Sequence, residues 1–129
     1  MAQPRPFITC HVLETVAGKP AANMKATLSL ISPASGSATF TATTNSDGRV
    51  TAWGSSNGTL EATIEEAKKE LKEDEQLIWA IRFQTGEFYG AGNTFWPEVE
   101  LRFFTKLSEK HYHVPLLLGP WSYTTYRGS

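Results

Sequence analysis

The sequence predicts a mainly β fold: an antiparallel β-sandwich of seven to eight strands with one short helix at about residues 62–73. Three observations predict it. Short apolar runs with period-2 alternation recur along the chain. Turn signals built on Gly, Pro, Asn and Asp separate them. Only one segment switches to a helical period. At 129 residues the chain fits a single domain, residues 1–129, around one core.

Residues 7–13 are β-branched and apolar, follow a proline-rich lead and stop near Gly18-Lys19-Pro20. In the next strand, 24–31, Met24, Ala26, Leu28 and Leu30 share one face, with Lys25, Thr27, Ser29 and Ile31 on the other. Ser35-Gly36-Ser37 is a loop signal, and 38–44 alternates small apolar residues with threonines. Asn45-Ser46-Asp47-Gly48 is a strong turn, 49–53 a short strand, and Gly54-Ser55-Ser56-Asn57-Gly58 a further loop. Leu60, Ile64, Ala67 and Leu71 then fall on one helical face. Thr63-x-x-Glu66 fits a capping box, and Glu65 and Lys69 form an i,i+4 pair. Strands resume with Leu77, Trp79, Ile81 and Phe83 on one face. Thr85-Gly86-Glu87 turns the chain into Phe88-Tyr89-Gly90, and Gly92-Asn93 turns it again. Val99, Leu101 and Phe103 alternate with Glu100, Arg102 and Phe104; 111–118 follows, Gly119-Pro120 breaks it, and 121–126 is the last strand.

Composition excludes several functions. With 12 Lys+Arg against 13 Asp+Glu, the net charge of −1 argues against nucleic acid as a partner. No apolar run approaches the roughly 18 residues of a membrane span. The opening Met1-Ala2-Gln3-Pro4-Arg5-Pro6 lacks the apolar stretch of a signal peptide. Arg127-Gly128-Ser129 is not the Ser-Lys-Leu peroxisomal address, so a cytoplasmic location is the default expectation, with the peroxisome left open. The single cysteine, Cys10, excludes an intrachain disulfide and a cysteine zinc cluster.

The candidate chemistry rests on few residues. His11 shares a strand face with Phe7, Thr9 and Leu13, and Cys10 points the other way, which makes a Cys10–His11 nucleophile pair sterically poor. His111 and His113 are two apart and point to one face. Such a pair occurs in metal sites, but His11 is the only evident third ligand and no fourth stands out. The ordinary reading of each histidine is an exposed or hydrogen-bonded ring on a sheet face. Arg49 follows the Asp47-Gly48 turn, either as an exposed hairpin arginine or as a clamp for an oxyanion or planar amide. The tail keeps Trp121, Tyr123 and Tyr126 among small polar residues, as if ordered and packed. Beside it, Val114-Pro115-Leu116-Leu117-Leu118 reads as an exposed apolar run suited to burial against another subunit.

Two stretches go beyond generic pattern. Ile8-Thr9-Cys10-His11-Val12-Leu13-Glu14 through Gly18-Lys19-Pro20-Ala21 resembles the N-terminal signature of the transthyretin-related proteins. His111-Tyr112-His113-Val114-Pro115-Leu116-Leu117-Leu118, followed by Tyr126-Arg127-Gly128-Ser129, is similar to their C-terminal signature, in the form carried by the 5-hydroxyisourate hydrolases of the family. Thr44-Asn45-Ser46-Asp47-Gly48-Arg49 and Thr85-Gly86-Glu87-Phe88-Tyr89 agree with it between those ends. The tail departs from the pattern at Gly119-Pro120-Trp121-Ser122, and residues 62–76 look longer and more charged than the corresponding family segment.

The resemblance implies a transthyretin-like sandwich assembled as a homotetramer, a dimer of dimers with sites in the channel between dimers. It implies hydrolysis of 5-hydroxyisourate to 2-oxo-4-hydroxy-4-carboxy-5-ureidoimidazoline in urate catabolism, with no metal or organic cofactor. Catalysis would fall on His11, Arg49 and His113, and substrate binding on His11, Arg49, Tyr126, Arg127 and Ser129, with His111 supporting rather than catalytic. Histidine suits deprotonation of water near neutral pH, and a guanidinium suits a developing oxyanion. The alternatives are a non-catalytic carrier holding a small aromatic ligand in the same fold, and a metal-dependent hydrolase using His11, His111 and His113.

Overall fold

The computed structural model describes residues 5–33, 38–55 and 58–129. The loop signal Ser35-Gly36-Ser37, the Ser56-Asn57 part of the next loop and the 1–4 lead lie outside them. Two sheets face each other across a core. One runs β2 (Lys19–Pro20), β1 (Ile8–Glu14), β8 (Tyr112–Leu118), β9 (Tyr123–Thr125), with β5 (Arg49–Val50) also pairing with β1. The other runs β4 (Thr39–Thr43), β3 (Lys25–Ser32), β6 (Gln76–Phe83), β7 (Val99–Lys106). Two helices, α1 (Leu60–Glu70) and α2 (Thr85–Tyr89), complete the elements among the described residues. The sandwich is as expected, and its pairings are antiparallel except that between β1 and β8, which is parallel.

Alternation puts the expected residues inside. Met24, Ala26, Leu28 and Leu30 are buried, as are Leu77, Trp79, Ile81 and Phe83, against Ile8, Cys10 and Val12 of β1 and Val114, Leu116 and Leu118 of β8. Trp79 is fully buried because its one polar atom is satisfied: Nε1–H donates to Thr105 Oγ1 at 3.1 Å. At the end of β1 the buried Glu14 carboxylate accepts from the Ala17 N–H and from the Tyr89 hydroxyl. Burial and the neighbouring Glu14 hold the Tyr89 phenol well above its usual pKa.

The helix differs in its details from the sequence reading. It starts at Leu60, because Thr59 is the extended cap residue, its hydroxyl accepting from the Ala62 N–H at 3.0 Å. Thr63, expected to cap, instead bonds back to the Thr59 carbonyl from within the first turn. It ends before Leu71, which is extended. The expected Glu65–Lys69 pair is replaced by i,i+3 contacts, Glu65–Lys68 and Glu66–Lys69, all exposed. Residues read as a turn at 85–87 belong to α2, where the Thr85 hydroxyl donates to the Trp96 carbonyl and the Gly86 N–H to that of Pro97. Gly90, at φ +92°, ends it in a backbone conformation open to glycine.

The apolar run 114–118 is not exposed. Val114, Leu116 and Leu118 enter the core, and Pro115 is covered by the tail, whose Thr125 hydroxyl donates to the Pro115 carbonyl. The tail is ordered as strand β9, where Tyr123 packs edge-on against Trp96 with ring centroids 5.2 Å apart, whereas Trp121 (65%) and Tyr126 (57%) stand exposed.

Candidate active site

Strand register assembles the site on the outer face of the β1 sheet. In β1, His11 sits opposite Arg49 of β5 on one side and Pro115 of β8 on the other. Two residues earlier, Thr9 sits opposite His113. Cys10, between them, points into the core, where burial pushes its thiol up to about 12 and leaves it unreactive. His11, Arg49, His113, Tyr126 and Ser129 line one cleft of about 930 Å³. Of the six site residues the resemblance implies, the structure brings these five to one cleft. Arg127 lies elsewhere: its guanidinium stacks 4.8 Å from the Tyr112 ring centroid and lines the adjoining groove toward β7.

The turn that carries Arg49 also holds His11. Asn45 Oδ1 accepts from the Asp47 and Arg49 N–H groups, and Asn45 N–H donates to the Arg49 carbonyl. Gly48, at φ +74°, closes it, and a Cβ there would meet the Val12 carbonyl oxygen at 2.4 Å, so no other residue fits. The product is a carbonyl, Asp47 O, 2.9 Å from His11 Nε2. A carbonyl only accepts, so Nε2 carries the proton and the neutral ring presents Nδ1 as its acceptor.

The three histidine rings are near one another without converging. Ring centroids of His11 and His113 are 6.4 Å apart, and those of His111 and His113 6.3 Å apart in a stacked pair. No group of three His, Cys, Asp or Glu side chains among the described residues is placed to hold a metal ion. Thr9, only 7% exposed, stands between two of the rings: its Oγ1 is 2.7 Å from His113 Nδ1 and 3.3 Å from His111 Nε2. The sequence placed Thr9 on the His11 face but gave no sign of this bridge, which needs the β1–β8 register.

Electrostatically the cleft is cationic. Arg5 and Arg49 line it beside the His11 and His113 rings, with Glu61 the one acidic side chain among its described lining residues. Desolvation first, then the Arg49 guanidinium, holds His11 below its ordinary pKa, partly offset by the Asp47 carbonyl and carboxylate. His113 is lowered by desolvation, then by Arg49, His111, His11 and Arg5. Both rings are therefore neutral bases at physiological pH, beside a fixed positive charge.

The tail closes the far side. Gly128 N–H donates to the His113 carbonyl at 2.9 Å, and a Cβ on Gly128 would meet His113 Cδ2 at 2.8 Å and Pro115 Cγ at 3.1 Å. Arg5 Nη1 donates to the main-chain oxygen of Ser129 at 3.3 Å. Gly128→Ala is expected to displace the His113 ring while leaving the sandwich folded, lowering kcat/KM about 10-fold to 10²-fold with the melting temperature unchanged within a few degrees. Steady-state kinetics beside thermal unfolding checks this, and undiminished turnover would show that the close approach is not needed.

The fold and the cleft define a class: a two-sheet β-sandwich protein that gathers two neutral imidazoles and a guanidinium, free of ion pairs among the described residues, in one cleft. The chain belongs to the HIUase/Transthyretin family, whose model matches residues 8–128. It is 37% identical to a Schizosaccharomyces pombe protein named "Probable 5-hydroxyisourate hydrolase", over 96% of this chain and 92% of the other. Among solved structures it is similar to (S)-allantoin synthase, with a TM-score of 0.73 and 31% identity, covering 98% of this chain and 45% of that one, under half its length. It also shares the fold of transthyretin from Sparus aurata, with a TM-score of 0.72 at 20% identity over 96% and 97% of the two chains.

Proposed function

We propose that this protein is a 5-hydroxyisourate hydrolase, opening the substrate's ring in urate catabolism to give 2-oxo-4-hydroxy-4-carboxy-5-ureidoimidazoline. The observation that carries this reading is the β1 register, which sets His11 beside Arg49 and Thr9 beside His113 in one cleft. The names of its relatives support the same chemistry.

In this mechanism a water in the cleft gives its proton to a neutral imidazole, His11 or His113, as its oxygen attacks the cyclic amide carbonyl. Arg49 holds the resulting oxyanion with fixed donors and the anionic substrate with its charge. The ring C–N bond then breaks, and the imidazolium returns the proton to the departing nitrogen. Water, imidazole and guanidinium account for every bond and proton, so the step calls for neither metal nor organic cofactor. Tyr126, Arg127 and Ser129 bind substrate from the tail.

The active form is a homotetramer, a dimer of dimers in which residues 1–129 form one domain per subunit. The exposed Trp121, Tyr123 and Tyr126 support it, since aromatic surface of this kind is enriched where subunits meet. The sites then lie between dimers.

The direct test generates 5-hydroxyisourate from urate with urate oxidase and follows its ultraviolet absorbance. Decay well above the spontaneous rate is expected with wild type. A folded protein that leaves the rate at that of buffer would overturn the reading and favour a carrier.

A further inference from the structure

Two buried-side contacts of the site are not explained by substrate binding: the Thr9 bridge between His111 and His113, and the anchorage of His111. His111 Nδ1 lies 2.7 Å from the carbonyl oxygen of Pro6, a group that can only accept. The neighbouring backbone is pinned there by the Tyr112 N–H, which donates to the Phe7 carbonyl at 2.7 Å. A neutral His111 therefore carries its proton on Nδ1 and offers a lone pair at Nε2. That lone pair faces Thr9 Oγ1 at 3.3 Å, so the hydroxyl proton goes to His111. A hydroxyl has one proton to give, and its oxygen is left to accept from His113 Nδ1 at 2.7 Å.

We infer that Thr9 and His111 are positioning residues that fix His113 as its Nδ1–H tautomer and so turn the basic Nε2 lone pair toward the substrate. The chain of donors runs one way, from His113 to Thr9 to His111 to the Pro6 carbonyl, and its direction is set at the far end by a group without a proton. His113 Nε2 makes no hydrogen bond among the described residues, while the ring lines the cleft. With the opposite tautomer, Nε2 would carry a proton and could not deprotonate water. His11 is fixed independently by the Asp47 carbonyl, so each imidazole has its own main-chain reference. The register makes the chain possible: Thr9 lies directly across the parallel ladder from His113, and His111 is two residues before it on the same face.

The inference rests on the hydrolase reading for its role in turnover, but its structural part can be read without substrate. In protein labelled with 15N-histidine, at a pH where the rings are neutral, His113 Nδ1 is expected at a protonated, pyrrole-type shift and Nε2 at an unprotonated, pyridine-type shift. Thr9→Val keeps the β-branched shape but removes both hydrogen-bonding functions. It is expected to mix the His113 tautomers and to lower kcat about 10²-fold with KM within about threefold. Thr9→Ser restores both the shifts and kcat. His111→Phe frees the Thr9 proton to donate to His113 Nδ1, and so moves His113 toward the Nε2–H form. Wild-type His113 protonated at Nε2 would overturn the inference. So would unchanged tautomer and kcat in Thr9→Val, or Thr9→Ser that restores folding without restoring kcat. If wild type shows the expected tautomer yet fails to accelerate 5-hydroxyisourate decay, the hydrolase reading fails and the tautomer assignment stands.

Discussion

Arg49→Ala lowers kcat/KM for 5-hydroxyisourate about 10²-fold to 10³-fold, the effect of removing a main oxyanion donor. The fold is expected to survive, because what Arg49 contributes to structure is main chain: its N–H donates to Asn45 Oδ1, its carbonyl accepts from Asn45 N–H, and its Cα pairs with His11 in β5. The side chain is exposed and forms no ion pair among the described residues. A second consequence separates a catalytic arginine from a bystander. Its charge helps hold His11 and His113 below their ordinary pKa, so removing it raises both. The acid limb of the kcat/KM profile then moves to higher pH in Arg49→Ala. Arg49→Lys keeps the charge but not the planar fork, so the limb stays near its wild-type position while kcat remains low. An acid limb and kcat/KM that both match wild type in Arg49→Ala would remove the residue from the mechanism.

What was legible in the sequence follows from how local each signal is. In β3 one face is buried, and in β6 the buried residues are that face plus the small Ala80, so alternation named the inward residues correctly: Met24 to Leu30, and Leu77 to Phe83. His11, Arg49 and His113 were legible through the family motifs, and their strand faces through period 2. Partners across the sheet were not. The parallel pairing of β1 with β8 joins residues about a hundred positions apart, and only that register reveals Thr9 between His111 and His113. The run Val114-Pro115-Leu116-Leu117-Leu118 misled for a related reason. A continuous apolar strand has two faces to cover, and local sequence does not show that the core takes one while the chain's own tail lies over Pro115. At α1, two threonines four apart compete for the cap, and burial of Leu60 decides for Thr59.

His113→Ala is expected to lower kcat about 10²-fold to 10⁴-fold, the range of a positioned general base. His11→Ala tests the other imidazole, and the pair of variants settles how the proton work is divided. If both rings act in one relay, the double variant costs little more than the worse single, because groups that act as a unit are not additive. If each acts in a separate step, the losses multiply. The wild-type pH profile supplies the complementary sign. Both rings are held below the ordinary histidine value of about 6.5, so the neutral, active form persists below that pH and the acid limb of kcat/KM has its midpoint there. Stability moves with it: as pH falls through about 6.5 the unfolded chain takes up protons first, so the folded state loses stability until the lowered folded values are passed, and is level above about 6.5. His113→Ala removes one of the two titrations, so its melting temperature falls less than that of wild type over the same interval. A His113→Ala protein that turns over at the wild-type rate would assign the base to His11 alone, and would leave the Thr9 bridge without a catalytic task.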